Sequence, residues 1–84
     1  MDDLFYFNRR LPSEMAKQLK EASNEESRRE VISRIKYLIE SNSSTKNVHE
    51  LALRKEKGDP EAVTSLKKHI AMEEELISKL KALL

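Results

Sequence analysis

The sequence predicts an all-α fold, a small four-helix bundle with three short helices and one long C-terminal helix. Three observations predict it. Apolar residues recur at alternating spacings of three and four in the second and last stretches, over 31–39 and 63–84. Helix breakers are scarce, with one glycine and two prolines in 84 residues. Those few stand where helices start or stop, at Pro12 and at Gly58-Asp59-Pro60. The whole chain, 1–84, is expected to form one domain. It comprises an aromatic arm over 1–11, three short helices over 12–57 and a long amphipathic helix over 60–84.

Leu4-Phe5-Tyr6-Phe7 holds three of the four aromatic residues and is too short to assign to a helix or a strand. Its rings can latch over an open end of the bundle or anchor in a partner; each buries about 150–250 Å². Pro12 suits the first turn of a helix, where its missing N–H costs nothing. Met15, Leu19 and Ala22 then make a narrow apolar stripe that ends near Ser23. Ser23 and Glu26 have the spacing of a capping box, which starts a second helix at Asn24 and carries it to about Ser41. Val31, Ile32, Ile35, Leu38 and Ile39 share its inner face, and Tyr37 points the opposite way.

Asn42-Ser43-Ser44-Thr45 is expected to break the chain and cap a third helix over 46–57. In that helix Val48, Leu51 and Ala52 are expected to point inward and Leu53 away. Gly58-Asp59 leaves room for a tight turn only, so the third and last helices should form an antiparallel hairpin. Asp59 is the expected cap of the last helix, with Pro60 in its first turn. Val63, Leu66, Ile70, Leu76, Ile77, Leu80, Leu83 and Leu84 form its stripe. At 1.5 Å per residue this helix is about 37 Å long, more than the ~30 Å diameter of a compact chain of this size. An elongated bundle, a self-associated one or a protruding end is expected, with Leu76 to Leu84 covered either by the first two helices of the chain or by another molecule.

Composition narrows the function. Charged residues make up 37% of the chain, yet the net charge is +1. There are no cysteines, which removes disulfides and thiolate chemistry and suits a cytoplasmic or other reducing compartment. The acidic start is not followed by an apolar run of signal-peptide length, and no stretch approaches the ~20 residues of a membrane span. With Gly58 as the only glycine, no phosphate loop, dinucleotide fingerprint or nucleophile elbow can be written. A Ser/His/Asp arrangement would have to use His49 or His69, which carry no local signature. No catalysis, small-molecule substrate, cofactor or bound metal is expected.

His69 and Glu73 stand one turn apart on the apolar face of the last helix. They could be half a metal site, but two histidines are too few for most sites. As a polar interruption in a coiled-coil-like seam they would be satisfied by an arginine such as Arg28, or by water, and would fix the seam's register.

The function expected is a regulatory or adaptor-type protein–protein interaction module, a co-chaperone being one form. It would act by burying an apolar helix face against a partner or, in a homodimer, a second copy. Leu76, Leu80, Leu83 and Leu84 are the candidate contact residues, with Phe5, Phe7 and Tyr37. The alternative is a small DNA- or RNA-binding regulatory protein using Arg28, Arg29, Arg34 and Lys36. Spacing weighs against it: Glu25 and Glu40 lie four residues from Arg29 and Lys36, the pattern of an ion-paired solvent face.

Overall fold

The computed structural model describes residues 2–84, with side chains from Arg9 onward. It holds three helices: α1 (Asp2–Glu21), α2 (Glu25–Lys55) and α3 (Pro60–Ala82). His49 of α2 meets Glu73 of α3, while Val31 and Ile35 pack with Leu76 and Leu80, so α2 and α3 run antiparallel. The short link at 22–24 turns α1 back along the start of α2. The body measures 53 × 21 × 16 Å. Its radius of gyration is 15.2 Å, against roughly 12 Å for a compact chain of this length.

The expected second and third helices are one continuous helix of 31 residues. Asn42-Ser43-Ser44-Thr45 does not break it. These residues cost only about 0.5 kcal/mol each relative to alanine, and none removes a backbone donor as proline would. Two of them bond back into the helix. Asn42 Nδ2 donates to the Leu38 carbonyl at 2.8 Å, and Thr45 Oγ1 donates to the Ser41 carbonyl at 3.0 Å.

Continuity also corrects the phase. Ile35, Ile39, Asn42, Lys46, His49 and Leu53 form a single seam at spacings of four and three, and each is at least half-buried. Leu53 therefore faces α3, while Val48, Leu51 and Ala52 are exposed. That reverses the expectation for these four residues, which takes its phase from the short stretch after the supposed break.

Helix α1 begins at Asp2 and passes through Pro12, which is buried inside it. The expected start at Pro12 is thus ten residues late. The reason is legible in the sequence, since Phe7, Leu11, Met15 and Leu19 keep an i, i+4 period across the proline. The question of latch or anchor for the Leu4–Phe7 rings lies outside the described side chains.

The caps explain the other ends. Asn24, one residue past the expected Ser23, caps α2 by accepting from the Ser27 N–H at 2.8 Å. Asp59 caps α3 as expected, accepting from Glu61 and Ala62 at 3.1 and 3.3 Å. Gly58 has φ 105°, the left-handed region that glycine enters without strain, and it closes the turn.

The core sits at one end, here called the base. Met15 of α1, Val31 and Ile35 of α2, and Leu76 and Leu80 of α3 are buried together, and Leu11, Leu19, Leu38, Ile39 and Leu83 pack around them. The other end, the tip, is closed by the Gly58 turn. There Leu53, Val63, Leu66 and Ile70 are only half-buried.

Candidate functional site

Between base and tip the seam turns polar. Glu73 is 2% exposed, and its Oε1 lies 2.8 Å from His49 Nδ1. A buried carboxyl with no hydrogen-bond partner would be costly, and His49 Nδ1 is placed to share one with it. The sequence suggests an arginine such as Arg28 as the partner of Glu73. Arg28 is exposed, and His49 takes that place. The ring of His69 stands 5.3 Å from that of His49, inclined by 43°. At the rim Lys46 reaches both Glu50 and Glu74 at 3.4 Å. Hydrogen bonds to Glu50 and then Glu74 hold its ammonium above the usual lysine range. Among the described residues no group of three or more His, Asp or Glu is placed to hold a metal ion. The expected break at 42–45 puts His49 on a separate helix and hides its role; counted on from Ile35 it falls on the seam.

The candidate contact residues divide. Leu80 is fully buried and Leu76 nearly so, both in the chain's own core, so neither is available to a partner in this fold. Leu83 is half-buried against that core, and Leu84 is exposed. Tyr37 is 69% exposed and stands where the sequence places it, opposite the seam. The side chains of Phe5 and Phe7 are outside the described set.

Tyr37 is not alone. Val48 is 64% exposed and Leu51 50%. Positions 37, 41, 44, 48 and 51 follow each other at spacings of four, three, four and three. They form a stripe along the outer side of α2, with Ser41 and Ser44 in its middle. Its phase lies about half a turn from the seam, so the same helix carries two heptad-like lines on opposite sides.

The basic residues of α2 do not make a surface of one sign. Arg29 is paired with Glu25 at 3.1 Å, and Arg34 Nη1 donates to Gln18 Oε1 at 3.2 Å. Arg28 and Lys36 are exposed among neighbouring glutamates. A surface that follows a phosphate backbone would instead carry one sign throughout. No helix among the described residues is long and apolar enough to cross a membrane. Comparison with protein-family models, with characterised proteins and with solved structures finds no match to this chain.

Proposed function

We propose that this chain is a non-catalytic protein–protein interaction module whose contact face is the outer side of α2, centred on Tyr37, Val48 and Leu51. The supporting observation is surface left unused. A compact monomer of 9.8 kDa exposes roughly 5,200 Å², whereas this chain exposes 6363 Å². The elongated shape accounts for a larger surface, and on it an apolar line lies along a helix whose other side already serves the fold. Val48 and Leu51 are neighbours on this exposed face, and Tyr37 stands on the same line about 16 Å away, beyond Ser41 and Ser44. The mechanism is burial of that stripe in a groove or against another helix, with flanking charges setting orientation. An adaptor, a regulatory subunit or a co-chaperone would each work this way.

A photo-crosslinking amino acid at position 48, with position 61 on α3 as control, tests this in the native cell. Covalent adducts from position 48 and not from position 61 are expected. Equal labelling at both sites, or none at 48, would overturn it. The adduct mass also separates a second copy of the chain from a different protein.

A further inference from the structure

The outer stripe of α2 is self-complementary in one arrangement. Its line continues at both ends, through Arg34 to Glu30 and from Leu51 to Lys55, at the same alternating spacing. Lay a second α2 antiparallel along it, with the two-fold axis midway between positions 42 and 43. Each position then meets the one whose number sums with its own to 85. Tyr37 faces Val48 of the second copy, and Ser41 faces Ser44 at the centre, where small side chains let the backbones approach. Arg34, whose guanidinium donates to Gln18 of α1, borders Leu51 of the second copy, and Glu30 faces Lys55. In a parallel, in-register pairing each position would instead meet its own kind: Glu30 on Glu30, Arg34 on Arg34, Lys55 on Lys55. Like charges in contact disfavour that pairing.

We propose that the chain self-associates through the outer face of α2 as an antiparallel two-fold dimer, with Tyr37 against Val48 and Glu30 against Lys55. The proposal rests on the interaction-module reading and names its partner as a second copy. The strip from Glu30 to Lys55 is about 37 Å long and about 10 Å wide, roughly 400 Å² per copy. The total of ~800 Å² is below the ~1,200 Å² of standard interfaces, so the dimer belongs to the weak, transient class.

Two measurements decide it. The first is sedimentation equilibrium on the full chain up to about 1 mM. Glu30→Lys and Lys55→Glu should each weaken association by roughly threefold to tenfold, and the two together should restore it, because each pair occurs twice in a two-fold dimer. The second uses the absence of native cysteine. Oxidising a mixture of Tyr37→Cys and Val48→Cys chains should give the mixed disulfide dimer, while each variant alone stays mostly monomeric. Like positions in this dimer are separated by about 16 Å along the axis, beyond the reach of a disulfide. A wild-type mass that stays monomeric throughout would overturn the proposal, as would charge reversals that add instead of cancelling, or a dominant disulfide between two chains that both carry Tyr37→Cys. If the chain is monomeric while position 48 still crosslinks to a different protein, self-association fails and the module reading stands. If position 48 gives no adduct either, both fail.

Discussion

Base and tip are built from the same two helices with similar apolar content, and they are packed very differently. At the base α1 lies over the hairpin, and Ile35 and Leu80 lose all contact with water. At the tip Leu53 of α2 and Val63, Leu66 and Ile70 of α3 have two helices around them and remain partly wet. The lesson is geometric. Two helices give a line of contact, and a third is needed before a side chain on that line can be enclosed. The His49–Glu73 pair stands at the boundary between the two regions.

The largest effect expected is at the base. Leu80→Ala should cost about 3 kcal/mol, a large share of the ~5–10 kcal/mol available to a domain of this size. Leu66→Ala at the tip should cost about 1 kcal/mol, because it removes a half-exposed side chain. Urea titrations followed by circular dichroism check both, and equal costs would erase the distinction between the two ends.

The boundary pair comes next. His49→Leu leaves the Glu73 carboxyl buried without its hydrogen-bond partner and should cost about 1–3 kcal/mol. Glu73→Leu should cost less, because His49 is partly exposed and can turn to water. Removing both with leucine should be close to neutral, since apolar isosteres often replace a buried polar pair without loss. The double-mutant cycle reads the coupling; additive single costs would mean that the hydrogen bond contributes little.

Closer to the turn, Gly58→Ala meets no steric contact, since a Cβ there has nothing within 4 Å. Its cost is the left-handed backbone alone, about 1 kcal/mol. Amide exchange should show the loss at the tip first. A substitution that leaves exchange at the tip unchanged would show that the turn does not limit its stability.

The smallest effect is electrostatic. A hydrogen bond from Lys79 at 2.8 Å holds the Glu75 carboxyl below its ordinary value. Its contribution is therefore present above the ordinary carboxylate titration and lost as pH falls through the lowered value. The pair is exposed, so added salt should remove most of it. Comparing Glu75→Gln with wild type at neutral and acid pH, at low and high salt, measures the difference.

Local signals were legible in the sequence where chemistry at one residue decides the structure. Asp59 and Pro60 start α3 and Gly58 turns the chain for those reasons, while Tyr37 faces out because the apolar phase of 31–39 sets the inner side. The polar run 42–45 misled because its residues favour caps in isolation, while a seam on both sides held them helical. Helical continuity through 42–45 sets the phase of Val48 to Leu53 and brings His49 onto the seam. Pro12 misled in the opposite sense, since it marks a helix start by default and here lies within one. Burial of Leu76 and Leu80 by the chain itself was one of two open readings, because periodicity gives the apolar face and not what covers it.

The four-residue link from Glu56 to Asp59 has a kinetic consequence. Bringing Ile35 to Leu76 in an otherwise open chain means closing a loop of about forty residues. Starting from the link instead saves about 2 kcal/mol of closure entropy. Closure entropy therefore favours zipping of the hairpin from Gly58 toward the base, starting at the end that contributes least to equilibrium stability. Substitutions near Gly58 will slow folding, and substitutions at Leu80 will mainly hasten unfolding.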